Sequence, residues 1–328
     1  MSERSLEELA DLATPWAIRV VITLGVPELL ADGARPADDL AAATDCDAAY
    51  LRRILAHLAG RGLFRQEQPG RFALTEAGQQ LRGEGARLGY DLDGVGGRFA
   101  HAWTTLADAV REGRPVYAEK FGRPFWEDLA AHPRLSADFD AMMGPAGHGE
   151  PDPRILPEQA WAGVTRIVDV GGGAGYKLAA LLKARPELRG TLVELPPTAA
   201  RAEQVLAEAG LADRSEVVAQ SFFEPLPPGA DLYQLSSIIN DFPDPEAVAI
   251  LTRCAEAAGR TGRVLVRGGV ADDDHQPSGL EVELVLLGGR VRGLAEFTAL
   301  AAPAGLRIKD LHRPPAGLVA ELVVDASN

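Results

Sequence analysis

An alternation of short apolar runs and longer helical segments in the second half of the chain limits the possible folds most strongly. The runs are RIVDVGG, GTLVEL, SEVVAQ, DLYQLSS and RVLVRGG, and each is short enough for one strand. The segments between them have the spacing of amphipathic helices over roughly 10–15 residues. Parallel strands need such a crossover, so the pattern predicts an α/β fold with a parallel, doubly wound sheet. Two last apolar runs, LRIKDLHR and GLVAELVVD, predict a terminal hairpin.

The first part of the chain has a different pattern. Residues 5–32 carry apolar side chains at helical spacing and predict two helices. Residues 35–82 are expected to form a helix, a turn, a second helix and two short strands around EQPG, an order typical of a winged helix. Asp45 or Asp47 is expected to begin the second helix, because aspartate is a favoured N-cap residue.

The middle of the chain is predicted to be helical and interrupted. Residues 99–143 have helical spacing, with breaks at EGRP and FGRP. The segment 144–153, GPAGHGEPDP, is rich in Gly and Pro, and we interpret it as a candidate hinge.

The composition excludes several classes of partner. The 328-residue chain has a net charge of −14 and a pI of about 4.9. Nucleic acids and anionic membranes require a basic surface, so neither is expected. Cys46 and Cys254 form no CxxC pair, which argues against a zinc site or disulfide framework. The polar N-terminus is unlike a signal peptide, and no apolar run reaches the roughly 18 residues of a membrane span. We therefore expect a cytoplasmic protein without a metal.

A glycine-rich turn follows the first of these strands. In VDVGGGAG, Gly171, Gly173 and Gly175 allow a tight turn and a close approach of the backbone to a ligand. The next strand ends at Glu194, whose carboxylate can accept hydrogen bonds from both ribose hydroxyls of a nucleoside. The GxGxG spacing behind Asp169 favours S-adenosylmethionine over a dinucleotide. The alternative is a strand-to-helix turn that needs glycine for its conformation alone.

Eight segments together resemble a known family. They are LADLATPWAIRV, LRRILAHLAGRGLF, GRFALTEAGQQLR, GRPFWEDLA, FDAMM, VDVGGGAG, SFFEPLPPGADLYQLSSIINDFPDPEA and LGGRVRGLAEFTALAAPAGLRI. The chain resembles the bacterial S-adenosylmethionine-dependent O-methyltransferases of polyketide and aromatic natural-product pathways, relatives of the plant caffeate-type and anthracycline-tailoring enzymes. This resemblance implies a C-terminal Rossmann-like class I methyltransferase domain and an N-terminal α-helical winged-helix domain that forms an intertwined homodimer.

The resemblance also implies a division of the chain and a set of site residues. Residues 1–98 would be the dimerisation domain, 99–150 a helical linker with the substrate-pocket helices, and 151–328 the cofactor-binding domain. The implied ligands of S-adenosylmethionine or S-adenosylhomocysteine are Asp169, Gly171, Gly173, Gly175, Glu194, Leu195, Ser221, Phe222 and Ser236. The residues expected around a small-molecule substrate are His101, Trp103, Phe125, Trp126, Met142, Met143 and Asn240. Large flat or polarizable side chains suit an aromatic ligand, although core packing is an equal explanation for Met142.

The chain departs from this family at the position of the catalytic base. The family has histidine where this chain has Asn240, and an acid that holds this histidine where the chain has Gly268. Ser221 stands in place of an aspartate near the adenine, and Ser237 in place of a basic residue. A general base contributes about 10²–10⁴ in rate, and a neutral amide cannot act as one. Asp241 is adjacent, but neighbouring side chains need not point into the same space.

These departures leave several hypotheses open. The first is a tailoring enzyme that performs a cyclisation or pericyclic reaction, a decarboxylation or a hydroxylation, with the bound sulfonium as a fixed positive charge. Asn240 would then donate a hydrogen bond to a carbonyl, and Asp241 would orient it or accept a proton. The alternative is an active O-methyltransferase whose acidic phenol or enol needs no strong base.

Two remote alternatives involve no catalysis. A winged-helix transcriptional regulator would read DNA through AAYLRRILAHLAGRG, but that helix is mostly apolar and the chain is acidic. A dimerisation scaffold explains it better. A non-catalytic partner subunit of a related enzyme is the other alternative.

Overall fold

The computed structural model describes residues 5–145, 151–315 and 317–325 and divides the chain into two compact units. One unit ends at His101 and the other begins at Ala102. The candidate hinge lies partly outside the described residues, because 146–150 are not among them. The division into three functional parts stays a prediction.

The first unit is mainly helical. Its core consists of side chains such as Val21, Leu40, Leu55, Phe64 and Phe72. Asp47, one of the two predicted candidates, is the N-cap, since its Oδ1 accepts a 2.9 Å hydrogen bond from the Tyr50 amide. The helices are Leu6–Leu9, Ala13–Thr23, Val26–Leu29, Ala37–Ala43, Ala48–Gly60, Glu84–Tyr90 and Val95–Ala102, the last of which ends at the first residue of the second unit.

A small antiparallel sheet completes the first unit. Strands β1 (Arg35–Pro36), β2 (Phe64–Gln68) and β3 (Arg71–Leu74) pair in the order β1-β3-β2. The two longer strands flank the predicted turn at EQPG and follow the helix Ala48–Gly60. The comparison with winged-helix domains remains a prediction.

The second unit begins with the interrupted helical region. Gly113 and Gly122 adopt left-handed conformations with φ of 64° and 84°, which end the helices at the predicted breaks. The helices are Leu106–Glu112, Tyr117–Phe121, Phe125–Ala131 and Pro133–Met143.

A seven-stranded sheet forms the centre of the second unit. Its strands are β4 (Arg166–Val170), β5 (Arg189–Glu194), β6 (Ser215–Ala219), β7 (Leu232–Ser236), β8 (Arg263–Arg267), β11 (Leu306–His312) and β12 (Val319–Val324), in the order β11-β12-β8-β7-β4-β5-β6. The first five are parallel, as predicted. The terminal hairpin also forms, but β12 pairs antiparallel with β8, so the sheet is mixed. Two short strands, β9 (Val270–Ala271) and β10 (Arg292–Gly293), pair in parallel outside it.

Helices cover both faces of this sheet. Alternate residues of a strand face opposite sides, and they divide into two apolar clusters. The helices Asp244–Ala258 and Leu294–Ala301 pack in one cluster, whereas Tyr176–Ala184 and Pro196–Glu208 pack in the other. A short helix, Gly279–Leu284, lies between β9 and β10 in the chain. Within the described residues, no helix is long and apolar enough to cross a membrane.

Candidate active site

The order of the strands changes direction between β4 and β7. From β4 the chain passes to β5 and β6 on one side, and it then returns to β7 on the other side of β4. Ligands of doubly wound sheets bind at such a switch point, beyond the carboxyl ends of the strands. The glycine turn follows β4 and the segment with Asn240 follows β7, so both lie at this edge.

The glycine turn requires its glycines at specific positions. Gly171, Gly173 and Gly175 have φ of 70°, 57° and 84°, conformations that other residues adopt at a cost. A Cβ on Gly171 would lie 2.6 Å from Ile238 Cδ1. At Gly173 a Cβ would meet nothing within 4 Å. The turn therefore packs tightly at one end and leaves open space in its middle.

The Glu194 side chain is hydrogen-bonded to this turn. Its Oε2 accepts a 3.1 Å hydrogen bond from the Gly173 amide and its Oε1 a 2.7 Å bond from the Leu195 amide. Burial raises the pKa of the Glu194 carboxyl, while these two backbone bonds oppose the rise. Each oxygen keeps a lone pair for a further donor. The acid and the glycine turn thus form one unit.

Four buried polar atoms at this edge have no hydrogen-bond partner among the described residues. They are Asp169 Oδ2 on β4, Gln234 Oε1 and Ser236 Oγ on β7, and Asn240 Oδ1 just beyond β7. Asp169 and Gln234 face each other across the strand pair, where Gln234 Nε2 donates a 3.1 Å bond to Asp169 Oδ1. Buried polar groups in native proteins are almost always paired. Four unpaired ones together indicate a site for a polar ligand.

A half-buried lysine lies beside these groups, and sequence reasoning missed it. Lys177 is in the first turn of the helix after the glycines, and its Nζ donates a 3.3 Å hydrogen bond to the Ser236 carbonyl. Burial lowers the pKa of Lys177, whereas the nearby carboxylates of Asp169 and Asp241 raise it. A basic residue directly after the glycine turn was the available signal.

Asn240 and Asp241 form a hydrogen-bonded pair. They lie in a 3₁₀ turn, Ile239–Asp241, which the chain enters through Ser237 with φ of 59°. Asn240 Nδ2 donates a 2.7 Å bond to Asp241 Oδ1. Burial raises the pKa of Asp241 to about 7, although Lys177 lowers it. The side chains of Asn240 and Asp241 are therefore in direct contact, which the sequence alone did not determine.

Glycines surround this turn closely. A Cβ on Gly268, where the resemblance implies an acid, would lie 2.9 Å from Ser237 Oγ. A Cβ on Gly269 would lie 2.9 Å from the Asn240 amide nitrogen, and one on Gly289 only 2.0 Å from the Asn240 carbonyl oxygen. No side chain fits at these positions with this backbone, so the turn is enclosed by main chain.

An aromatic cluster adjoins the turn. Trp126 stacks on Phe242 at 6.0 Å and 19°, and packs edge-to-face on Phe139 at 5.5 Å. Phe222 and Phe223, after β6, lie 5.8 and 5.7 Å from Phe242. Phe242 directly follows Asp241, so the backbone of the turn leads straight into the aromatic cluster. Sequence reasoning did not assign Phe242 or Phe223 to the site.

Four of the predicted substrate residues, Phe125, Trp126, Met142 and Met143, are part of the helix pair beside this cluster. Phe125 is buried and lies 5.1 Å from Trp126. Met142 is half-buried and Met143 is 44 % exposed at the end of the helix Pro133–Met143. Asp140 holds that helix by an ion pair with Arg201.

The same helix reaches the glycine turn. A Cβ on Gly144, directly after it, would lie 2.8 Å from the Tyr176 ring. Tyr176 begins the helix that follows the glycines. The helix Pro133–Met143 therefore ends over the turn.

The remaining predicted residues have other surroundings. The ring of His101 lies 5.5 Å from Trp16 in the first unit. Trp103 is 40 % exposed in the second unit. Ser221 Oγ accepts a 3.3 Å bond from the Phe223 amide, and the Leu195 side chain is exposed. Their predicted roles stay predictions.

Family models match most of the chain. An O-methyltransferase domain matches residues 103–307, and an O-methyltransferase dimerisation domain matches residues 7–82. A 2,7-dihydroxy-5-methyl-1-naphthoate 7-O-methyltransferase from Streptomyces carzinostaticus is 44% identical over 94% of this chain and 93% of its own length. An aclacinomycin 10-hydroxylase from Streptomyces purpurascens is 40% identical over 92% and 84%.

The structure resembles solved O-methyltransferases. One is an O-methyltransferase from neocarzinostatin biosynthesis in complex with S-adenosylmethionine and 2-hydroxy-5-methyl naphthoic acid, with a TM-score of 0.91 and 40% identity over 99% of this chain and 100% of that one. The same enzyme is also known with S-adenosyl-L-homocysteine and 1,4-dihydroxy-2-naphthoic acid, again with a TM-score of 0.91.

The hypothesis of a non-methylating reaction is wrong. The relative at 44% identity is an O-methyltransferase, and the neocarzinostatin enzyme holds a methyl donor together with a hydroxylated naphthoic acid. The hypothesis treated the absent histidine as the loss of methyl transfer. Proton removal is only one contribution to that reaction, and binding the reactants in line contributes about 7–11 kcal/mol on its own. The chain belongs to the O-methyltransferase family, with the catalytic and dimerisation domains of that family in one polypeptide.

Proposed function

We propose that this protein transfers the methyl group of S-adenosylmethionine to a hydroxyl group of an aromatic small molecule. One observation carries the proposal: the hydrogen-bonded Asn240–Asp241 pair lies in a segment that packs on the glycine turn through Ile238 and on the aromatic cluster through Phe242. A carboxylate whose pKa is about 7 is matched to the removal of a proton at neutral pH.

The residues at the edge of the sheet fit the cofactor. S-adenosylmethionine supplies, when bound, a methyl group on a positively charged sulfur. Glu194 has lone pairs for the ribose hydroxyls, and the glycine turn gives a polar ligand close access to the backbone. Asp169 Oδ2 and Ser236 Oγ are unpaired acceptors suited to an ammonium group. Phe222 offers an aromatic face for the adenine, next to Ser221.

Asn240 and Asp241 have different roles toward the acceptor. Asn240 Oδ1 is buried and unpaired, so it accepts the hydrogen bond of the reacting O–H group and holds that oxygen. The O–H then turns from Asn240 to Asp241, which takes the proton as the oxygen forms its bond to the methyl carbon and the bond between that carbon and the sulfur breaks, leaving S-adenosylhomocysteine. This arrangement differs from donation to a carbonyl, because the Asn240 atom that lacks a partner among the described residues is its oxygen, an acceptor.

The substrate is an aromatic phenol of one to a few fused rings. Trp126, Phe139 and Phe242 supply flat apolar faces beside the reacting group. Hydroxylated naphthoic acids occupy the structurally similar enzyme. Residues 99–150 supply the substrate helices in this proposal, 151–328 the cofactor site, and 1–98 the homodimer contact, which the matched dimerisation domain supports.

Methyl transfer can be tested with S-adenosylmethionine that carries a deuterated methyl group. Purified protein would be incubated with a panel of hydroxynaphthoic acids and simpler phenols, and the products analysed by mass spectrometry. We expect a product that has gained one deuterated methyl group and an equal amount of S-adenosylhomocysteine. A product that is altered without the label, or the absence of S-adenosylhomocysteine, would contradict the proposal.

A further inference from the structure

The Arg292 side chain is hydrogen-bonded to both ends of the turn that carries Asn240 and Asp241. We infer that Arg292 is a positioning residue for methyl transfer, because its guanidinium fixes the Asn240–Asp241 turn at both ends. This inference rests on the proposed function and adds a residue that touches neither cofactor nor substrate.

The hydrogen bonds of Arg292 bracket the pair. Its Nη1 donates a 2.8 Å bond to the carbonyl of Ile239, and its Nη2 a 2.9 Å bond to the carbonyl of Phe242. Ile239 directly precedes Asn240, and Phe242 directly follows Asp241. The guanidinium is planar and rigid, so one group fixes the separation of the two carbonyls. Movement of either end would break a bond.

The positive charge of Arg292 is balanced by the carboxylate of Asp244. Arg292 is fully buried, and its Nε and Nη2 donate bonds of 2.9 and 2.8 Å to Asp244 Oδ1. Burial alone would raise the pKa of Asp244, but hydrogen bonds from Arg292 and then Arg290 lower it. A buried arginine without a carboxylate partner is very unfavourable, so this pair keeps the guanidinium in place.

The turn needs an external support. Ser237 enters it with φ of 59°, a left-handed conformation that is strained for a residue other than glycine. The backbones of Gly269 and Gly289 lie against Asn240 and limit how the turn can relax. Among the described residues, Arg292 is the side chain that binds both flanking carbonyls.

The test compares two arginines that share Asp244. Arg292→Lys keeps the charge but lacks the planar fork and cannot bind both carbonyls. Arg290→Gln is the matched control, because Arg290 also pairs with Asp244 but is half-exposed, and its side chain bonds, among the described residues, to Asp244 and Glu296 alone. For each variant, kcat, the KM of a hydroxynaphthoic acid, the Kd of S-adenosylmethionine and the Tm would be measured.

We expect Arg292→Lys to lower kcat by about 10- to 100-fold, because a small displacement of a reacting group is costly. The Kd of S-adenosylmethionine should change little, and Arg290→Gln should behave like the unchanged protein. Asp241→Asn should also have a smaller effect in the Arg292→Lys background, since the two changes act on one arrangement.

Three outcomes would overturn the inference. The first is a folded Arg292→Lys enzyme with the kcat of the Arg290→Gln control. The second is a kcat loss that adds independently to that of Asp241→Asn. Should Arg292→Lys not fold, Arg292→Gln would be measured, and failure of both to fold would assign Arg292 to stability alone. An unchanged protein that transfers no methyl group would instead refute the proposed function.

Discussion

Asn240 Nδ2 donates a 2.7 Å hydrogen bond to Asp241 Oδ1, so the side chains of these adjacent residues lie on the same side of the turn. The bond occupies one oxygen of the carboxylate and turns the amide oxygen of Asn240 away from it. A hydroxyl group held by that amide oxygen would therefore lie near a carboxylate whose pKa is about 7. Holding the oxygen and accepting the proton are thus divided between two side chains in the proposed reaction.

The pH dependence of the rate tests the role of Asp241. Because burial raises its pKa to about 7, the active carboxylate form increases as the pH rises through this value. We expect kcat/KM to rise with pH and level off above about 8. Asp241→Asn should remove this rise and lower kcat by about 10²–10⁴. The exposed Asp274→Asn is the control, and an unchanged profile in Asp241→Asn would mean that another group takes the proton.

The raised pKa of Asp241 also affects stability. The folded state holds the proton more tightly than the unfolded state, so the free energy of unfolding falls as the pH rises from about 4 to about 7. Asp241→Asn removes this loss and should increase stability at pH 8 by about 1–3 kcal/mol. Near pH 4 the variant and the unchanged protein should have similar stability.

Urea unfolding at the two pH values would measure this difference. Asp274→Asn should show no such pH-dependent gain, because Asp274 is exposed in a loop. A stabilisation of Asp241→Asn that is equal at both pH values would show that titration of this carboxyl is not its cause.

Local sequence patterns predicted the strands of the sheet but not every pairing between them. The βαβ alternation and the glycine turn depend on neighbouring residues, and both are present. The terminal hairpin was also readable, because two apolar runs stand close in sequence. The pairing of this hairpin with β8 could not be predicted, because the residue pattern of a strand does not indicate which strand it pairs with.

The residues of the candidate site were harder to predict from the sequence than the strands, for physical reasons. A lysine or arginine in an amphipathic segment usually lies on the surface, and Lys177 and Arg292 are exceptions held by buried partners. The meeting of Asn240 with Asp241 depends on the conformation of Ser237, which no residue pattern indicates. Phe242 reaches the aromatic cluster through contacts with residues far away in the sequence.

Glu194→Gln should weaken the binding of S-adenosylmethionine. The amide would replace one carboxylate oxygen with an NH₂ group that faces a backbone N–H, of either Gly173 or Leu195. It would also remove an acceptor for a ribose hydroxyl. The loss of about 1–3 kcal/mol corresponds to a Kd about 5- to 150-fold higher. Titration calorimetry would measure it with the exposed Glu187→Gln as control, and an unchanged Kd would contradict the assignment of Glu194.

Asn240→Leu should separate acceptor binding from cofactor binding. Leucine has a similar size but offers no oxygen to the reacting hydroxyl and no N–H to Asp241. We expect kcat/KM for the phenol to fall by about 10- to 100-fold, as for the loss of a buried hydrogen bond. The Kd of S-adenosylmethionine should stay within a few-fold of its original value. Equal losses of cofactor and acceptor binding would indicate a collapsed turn instead.

Phe242→Leu and Phe125→Leu should differ in what they change. Phe242 lies beside Asp241 and stacks on Trp126, so its loss removes an aromatic face from the proposed acceptor site. We expect the KM of a hydroxynaphthoic acid to rise about 3- to 10-fold, as for an aromatic contact of about 0.5–1.5 kcal/mol. Phe125 is buried among Tyr117, Trp126 and Phe139, so its truncation should lower the Tm more than it raises the KM. A larger KM effect for Phe125→Leu would move the acceptor site toward the helix Phe125–Ala131 and away from the Asn240–Asp241 turn.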